Sequence, residues 1–190
     1  IDTPTPGGGS VAALCGALGA SLNSMVANLT IGKKKWFDMY DTMCEISEES
    51  QVLKQSLVDL IDKDSKSFEL VMDAFRISKN VKNRDEIIFN AYKNAVNVPL
   101  DTLLLCLKTI KLSSKIIKIG NENAIIDAAV AAEVASAGAY SASYNIKINL
   151  REINDEKFRK STTDKYIRLL KDVDSYLHTV RHYINNKFNE

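Results

Sequence analysis

The sequence has 190 residues, of which 45% are hydrophobic and 26% are charged. This is the composition of an ordinary globular protein, and it excludes a disordered chain. Because 25 basic residues balance 24 acidic ones, no excess charge favours nucleic acid or a membrane surface as a partner. The length predicts one domain over residues 1–190. Three cysteines without CxxC spacing indicate a cytoplasmic chain with neither disulfides nor a zinc cluster.

Helix-breaking residues cluster near the beginning of the sequence and lead into an apolar helix. Pro4, Pro6 and Gly7–Gly9 predict a loop, with Ser10 as the N-cap of the helix. From position 11 to 31, large apolar residues recur every three or four positions, and a row of small residues lies on another side. We expect a buried central helix whose small row lets a neighbouring backbone, from this chain or a second subunit, approach closely. Its length approaches that of a membrane span, but four Ser and Asn residues interrupt it, which favours a soluble helix.

The rest of the sequence predicts four more helices. Helical periodicity covers residues 41–76, 83–119, 123–150 and 155–186, and no alternating strand pattern competes with it. Pro99 should kink or divide the second of these segments, and Asn123 should cap the third. A helix over 41–76 would be about 54 Å long, whereas a compact globule of this size is about 42 Å across. We therefore expect an all-α fold, an elongated bundle of about five long helices.

Asp64 is the acidic residue whose position is most informative. On a helical wheel it lies near the middle of the apolar arc of its helix, whereas Asp62 points away. A carboxylate among apolar side chains is costly unless it is paired or hydrogen-bonded. Removal from water favours the protonated form of a carboxyl group, as a general acid requires. The pattern leaves two interpretations open, a catalytic acid and a buried salt bridge or helix cap.

Other polar residues also have both a functional and a structural interpretation. Asp127 shares a helix face with Asn145 and Asn149, but an acid in a first turn also stabilises the helix dipole. The Gly7–Ser10 loop presents backbone N–H groups to an anion, or it is a flexible helix entry. The lysines of Lys33–Lys35 meet carboxylates of a ligand, or they complement the dipole at a helix C-terminus.

The sequence predicts no metal site. His178 and His182 have the i, i+4 spacing of a metal-binding pair, but no third ligand accompanies them. The glycine loop is neither a Walker A motif nor a dinucleotide fingerprint. We therefore expect no metal and no redox cofactor.

The sequence resembles the formimidoyltetrahydrofolate cyclodeaminase / methenyltetrahydrofolate cyclohydrolase family. The first match is the stretch PTPGGGSVAALCGALGASLNSMVANLTIGKKKW. The later matches, in order, are IDKDSKSF, AVNVPL, GNENAIIDAAVAA and GAYSASYNIKINLREINDEKF, so that the resemblance covers about residues 5–158. It implies an all-helical homodimer with a site for a folate substrate.

The resemblance also implies roles for individual residues. Asp64 corresponds to the second Asp of a D-x-D motif, which is the proton donor of the cyclodeaminases. Ile126 stands where a Ser or Thr often precedes the Asp of the family's GN…D segment, so that hydroxyl group is missing here. We expect catalytic roles for Asp64 and Asp127 and substrate-binding roles for Gly7, Gly8, Gly9, Ser10, Lys33, Lys34, Asn121, Asn145 and Asn149.

The expected function is that of a formimidoyltetrahydrofolate cyclodeaminase, which forms 5,10-methenyltetrahydrofolate and ammonia. A protonated Asp64 would give the leaving amine its proton. The alternative on the same site is a methenyltetrahydrofolate cyclohydrolase, since both reactions pass through a similar tetrahedral carbon. The alternative from another class is a non-catalytic dimeric helical scaffold, in which the inward Asp residues are structural. Neither nucleic acid nor membrane is expected as a partner.

Overall fold

Five long helices make up the computed structural model, which describes residues 4–188. They are α1 (Gly8–Ile31), α2 (Tyr40–Arg76), α3 (Arg84–Ile119), α4 (Ile125–Leu150) and α5 (Glu156–Phe188). A short 3-10 helix, Lys34–Met39, joins α1 to α2, and residues 4–188 contain no strand. With 37 residues, α2 is about 55 Å long. The all-α fold and the five long helices are confirmed.

Helices α1 to α4 form an up-and-down bundle in which α1 packs between α2 and α4. Helix α3 packs mainly on α4 and α2, and α5 covers α3 and α4. Contacts between polar side chains show that α1 and α2 are antiparallel. The Ser24 and Ser47 hydroxyl groups are 3.2 Å apart, and Ser10 reaches Asp64 further along α2. The N-terminus of α1 therefore lies beside the second half of α2.

Small residues let α1 approach its neighbours closely. A Cβ on Gly19 would lie 2.7 Å from the carbonyl oxygen of Ala131. A Cβ on Gly138 would lie 2.6 Å from that of Ala12. The small row of α1 thus faces the core of its own chain, because only glycine and alanine fit at this helix separation.

The large apolar row of α1 faces outward, which corrects the prediction of a helix buried on all sides. Helix α1 packs on α2, α3 and α4, and no described helix packs closely on its remaining side. Among the described residues, α1 is the one helix that by length and composition alone could cross a membrane, and 61% of its most apolar window is buried. The side chains of the outward row are 39–56% exposed: Val11, Leu14, Leu18, Met25 and Leu29.

The beginnings of two helices differ from the prediction. Helix α1 begins at Gly8, because the Ser10 side chain turns toward α2 instead of capping the helix. Helix α4 begins at Ile125 without a side-chain cap. Asn121, rather than Asn123, shapes this turn, since its Oδ1 accepts the backbone N–H of Asn123 at 3.1 Å.

Candidate active site

A cleft of about 380 Å³ opens where α1 begins. Helix α2 continues for twelve residues, about 18 Å, beyond Asp64, so that α2 and α3 extend past the N-terminus of α1. Phe68 and Phe75, which lie on the apolar side of α2 together with Asp64, are 39% and 47% exposed because this cleft, and not another helix, faces them. The volume falls within the range of small-molecule sites. The lining residues are Pro4, Thr5, Gly7, Gly8, Gly9, Asp64, Ser67, Phe68, Val71, Met72, Phe75, Tyr92, Ala95, Asn145 and Asn149.

The Asp64 carboxylate lies in this cleft beside the glycine loop. It accepts a hydrogen bond from the Ser10 hydroxyl group at 2.9 Å. Ser10 itself is 3% exposed, whereas Asp64 is half-buried. Asp64 is therefore only partly removed from water, since the end of α1 leaves one side of this carboxylate open to the cleft. A fixed and partly desolvated carboxyl group can exchange a proton with a bound molecule.

The Asp64 carboxylate lies directly against the backbone of Gly9, in the space that a side chain at position 9 would occupy. A Cβ at Gly9 would lie 2.6 Å from the Asp64 Cγ and closer still to one of its oxygens. No side chain other than hydrogen fits there without displacing the carboxylate. At Gly8 and Gly7, by contrast, the nearest atoms would be 4.0 Å and 3.6 Å from an added Cβ.

Asn149 is held by a carbonyl group that Pro99 leaves without its helical partner. Helix α3 runs through Pro99 undivided, contrary to one of the two predicted outcomes. Because proline has no N–H, the Ala95 carbonyl four residues earlier lacks its helical hydrogen bond. Asn149 Nδ2 donates to this carbonyl at 2.6 Å. Pro99 therefore fixes the orientation of an amide that lines the cleft.

The second amide of the cleft, Asn145, is also held through its nitrogen. Its Nδ2 donates to the carbonyl oxygen of Ser141 at 3.0 Å. Within residues 4–188, neither Asn145 Oδ1 nor Asn149 Oδ1 accepts a hydrogen bond. Two amide oxygens are thus available as acceptors for the N–H groups of a ligand.

Aromatic side chains form another wall of the cleft. The Tyr92 and Phe75 rings meet edge to face, with their centroids 6.1 Å apart. Burial, with a smaller contribution from the Glu152 charge, raises the pKa of Tyr92 above its usual value of 10. Its phenol is therefore neutral at physiological pH and can act as a hydrogen-bond donor.

Two residues of this site, Pro99 and Tyr92, were missed by the sequence analysis. The role of Pro99 could have been found, because a proline within a helix leaves the carbonyl group four residues earlier free to accept another hydrogen bond. Nothing in the sequence indicates that Tyr92 lines the same cleft as Asp64.

The remaining predicted site residues lie at the other end of α1. Lys33 and Lys34 follow its C-terminus, about 36 Å from Gly8 along the helix. Asp127 is half-buried in the first turn of α4. Within one chain, the predicted site residues therefore form two separate groups, one at each end of α1.

Asn121 belongs to this second group and is engaged in internal hydrogen bonds. It is 5% exposed. Its Nδ2 donates to the Leu29 carbonyl oxygen at 3.1 Å, and its backbone N–H donates to Thr30 Oγ1 at 2.9 Å. Asn121 thus ties the turn before α4 to the end of α1.

Among the described residues, no group of three His, Cys, Asp or Glu side chains is arranged to hold a metal ion. His178 and His182 stack on each other on α5, with ring centroids 6.1 Å apart. The cleft offers a carboxylate, two amide oxygens and a phenol. Such a set suits proton transfer and the recognition of a flat, polar ring.

The sequence and the fold both match known proteins. A methenyltetrahydrofolate cyclohydrolase from Methylorubrum extorquens is 36% identical over 99% of this chain and 92% of its own length. The formimidoyltransferase-cyclodeaminase of Gallus gallus is 33% identical over 88% of this chain, which spans about a third (32%) of that relative.

A solved structure gives the same result for the fold. The crystal structure of formiminotetrahydrofolate cyclodeaminase from Thermotoga maritima superposes with a TM-score of 0.92 at 31% identity, covering 99% of this chain and 92% of that one. The family model described as formiminotransferase-cyclodeaminase matches residues 1–167. The chain therefore belongs to the formiminotransferase-cyclodeaminase family, in agreement with the resemblance of its motifs.

Proposed function

We propose that the cleft at the N-terminus of α1 is the active site of a folate one-carbon enzyme. The observation that supports this most directly is the Asp64 carboxylate, which Ser10 and Gly9 fix at the edge of a cleft of suitable volume. The names of the relatives and of the solved structure supply the class of substrate, a tetrahydrofolate carrying a one-carbon group.

The reaction we propose is the cyclodeaminase reaction. N10 of the folate attacks the formimidoyl carbon on N5 and creates a tetrahedral carbon. The nitrogen of the formimidoyl group receives the proton lost from N10 and a second proton from Asp64, and it leaves as ammonia. The carbon is left as the 5,10-methenyl bridge. Asp64 then recovers its proton from water, so the reaction requires no metal and no redox cofactor.

The other cleft residues have positioning roles in this proposal. The Oδ1 atoms of Asn145 and Asn149 accept N–H groups of the pterin ring, whose face packs on the exposed side of Phe68. The Ser10 hydroxyl group keeps Asp64 in place and leaves the second carboxyl oxygen to the substrate. Positioning of this kind contributes several kcal/mol to a reaction between two held groups.

The cyclohydrolase reaction is the second candidate, and one observation favours it. The relative from Methylorubrum extorquens, which this chain matches over 92% of that relative's length, is named methenyltetrahydrofolate cyclohydrolase. In that reaction Asp64 would act as a base: it takes a proton from water, whose oxygen adds to the methenyl carbon. The bond between this carbon and N5 then breaks while the hydroxyl proton passes to N5, which leaves a formyl group on N10, and Asp64 releases its proton to water. Both reactions use the same cleft and the same carboxyl group.

Replacement of Asp64 by asparagine tests both candidates. The purified protein is supplied separately with 5-formimidoyltetrahydrofolate and with 5,10-methenyltetrahydrofolate, and the methenyl absorbance is followed. We expect Asp64→Asn to reduce kcat at least about 100-fold, because a general acid or base contributes about 10²- to 10⁴-fold.

Asp62→Asn is the matched control, since Asp62 lies on the same helix but is exposed to solvent. It should keep kcat within about twofold. Wild-type turnover by Asp64→Asn on both substrates would contradict the proposal. A wild-type protein that is inactive on both substrates would instead favour the non-catalytic scaffold.

A further inference from the structure

The cleft extends along α2 well beyond the carboxyl group at its inner end. Phe75 lines it as Asp64 does, and it lies eleven residues later on the same helix, about 17 Å along the axis. A proton donor at one end of such a cleft reaches only a small part of the bound molecule. The residues at the other end therefore contribute to which molecule is bound.

Tyr92 of α3 lies at this far end of the cleft, beside Phe75. Its ring packs against the core of the bundle and meets the Phe75 ring edge to face, with the centroids 6.1 Å apart. Contacts of this kind favour one orientation of the ring. Tyr92 also precedes Ala95 by three residues, so that both lie on the same side of α3. Tyr92 thus stands about one helical turn from the carbonyl group that holds the Asn149 amide.

The Tyr92 hydroxyl group is free to bind a ligand. Within residues 4–188 it has no hydrogen-bond partner, whereas the hydroxyl group of Tyr140 donates to the Asp174 carboxylate. Tyr92 is half-buried and lines the cleft. Because burial raises the pKa of this phenol, the group keeps its proton and can donate it in a hydrogen bond.

The charges around Tyr92 favour a neutral acceptor on the ligand. Glu152 lies near enough for its negative charge to act on the phenol, and Asp64 is the one charged side chain among the described lining residues. A carboxylate bound at this place would be repelled by Glu152, and no cation of the lining would compensate for that repulsion. An uncharged carbonyl oxygen accepts the same hydrogen bond without this cost.

A folate, the class of substrate on which this inference rests through the proposed function, offers two neutral carbonyl groups. One is the 4-oxo group of the pterin ring. The other is the amide carbonyl group between the benzoyl and the glutamyl parts. Neither oxygen is a reacting atom in the cyclodeaminase or in the cyclohydrolase reaction.

We propose that Tyr92 determines specificity in this cleft by donating a hydrogen bond from its hydroxyl group to a neutral carbonyl oxygen of the bound folate. The Tyr92 ring packs on Phe75, about 17 Å along α2 from Asp64, so the hydroxyl group contributes to binding and leaves proton transfer to the carboxyl group. A contact that is equally strong in the bound substrate and in the transition state lowers KM without changing kcat. Its loss should therefore appear in KM and in Kd.

Replacement of Tyr92 by phenylalanine removes the hydroxyl group and leaves the ring and its contact with Phe75 in place. We expect KM for the one-carbon folate to rise about three- to tenfold, as for the loss of one hydrogen bond between neutral groups, while kcat stays within about twofold. The Tm should stay within about 2 °C of the wild type, because the hydroxyl group has no partner in the protein. Tyr176→Phe is the matched control, since it removes the hydroxyl group of another half-buried tyrosine, which lies on α5. It should leave KM unchanged.

Calorimetric titration with three stable ligands identifies the carbonyl group. Folic acid contains both groups, aminopterin has an amino group in place of the 4-oxo group, and 6-hydroxymethylpterin lacks the benzoyl and glutamyl parts. If the acceptor is the 4-oxo group, Tyr92→Phe should weaken the binding of folic acid and 6-hydroxymethylpterin about three- to tenfold and leave aminopterin unchanged. If it is the amide carbonyl group, folic acid and aminopterin should bind more weakly and 6-hydroxymethylpterin should be unchanged. Either result supports the proposal.

Other patterns would overturn it. Equal affinities of the wild type and Tyr92→Phe for all three ligands would show that the hydroxyl group contacts none of them. Equal weakening of all three, or a lower Tm with unchanged affinities, would show a structural role instead of recognition of one carbonyl group. Failure of the proposed function is seen separately, as a wild-type protein inactive on both folates or as wild-type turnover by Asp64→Asn.

Discussion

Replacement of Gly9 by alanine tests whether the backbone of α1 positions the Asp64 carboxylate. The added Cβ would lie 2.6 Å from Asp64 Cγ, whereas ordinary contacts begin at about 3.4 Å. The carboxyl group must therefore move by roughly 1 Å, and it would leave the Ser10 hydroxyl group that now donates to it at 2.9 Å. Misplacement of a reacting group by about 1 Å costs about 100-fold in rate. We expect kcat of Gly9→Ala to fall by about that factor.

The same substitution should change the stability little. Alanine gains about 0.5–1 kcal/mol over glycine in a helix, and the lost hydrogen bond costs about 0.5–1.5 kcal/mol. Because Asp64 is half-buried, its side chain can swing into the cleft without a clash in the core. For a domain of this size, 1 kcal/mol corresponds to about 2–4 °C in Tm, so we expect a Tm within about 4 °C of the wild type.

The assay is the methenyl absorbance described above, together with thermal unfolding followed by circular dichroism. Gly8→Ala is the matched variant, since its Cβ would lie 4.0 Å from Asn145 Nδ2, an ordinary contact. Its loss of kcat should be at least ten times smaller. Two results would refute the reasoning: a Gly9→Ala enzyme with wild-type kcat, or equal losses in the two glycine variants.

Two further predictions concern the hydrogen bonds that hold α3, α4 and α5. Pro99→Ala restores an N–H that competes with Asn149 for the Ala95 carbonyl; we expect kcat/KM to fall about tenfold, as for Asn149→Leu. The double variant should lose no more than Asn149→Leu alone, and multiplied losses would show that the two residues act independently. The hydrogen bond from Tyr140 to the Asp174 carboxylate raises the pKa of Tyr140 to about 12. Because this value lies above the ordinary 10, the contribution of the bond to stability is complete below pH 10 and is lost as the pH rises from 10 to 12. In a tyrosinate absorbance titration, Asp174→Asn should shift one tyrosine toward 10, and superimposable titration curves would contradict this.

The sequence alone was sufficient to predict the fold and to single out Asp64. Helical periodicity over five segments predicted the all-α architecture, because apolar residues that recur every three or four positions lie on one side of a helix and can be buried together. The same periodicity placed Asp64 among apolar residues of α2, and the cost of desolvating a carboxylate made that position informative.

Which face of a helix points inward was decided by tertiary structure. The sequence of α1 shows a small row and a large apolar row, and both are compatible with burial. The close approach of α4, where Gly138 meets Ala12 and Gly19 meets Ala131, selects the small row for the interior. The large row is then left on the outside of the bundle.

The offset between the helices was likewise beyond the sequence pattern. Helix α1 has 24 residues and α2 has 37, but only their packing shows that α2 continues past the N-terminus of α1 and leaves a cleft there. Asn121 and Asn149 have the same side chain, yet Asn121 is hydrogen-bonded to the end of α1, whereas Asn149 lines the cleft. Local periodicity indicates the direction of a side chain on its own helix. A site depends also on where different helices end relative to one another, and this offset is determined by contacts between residues far apart in the chain.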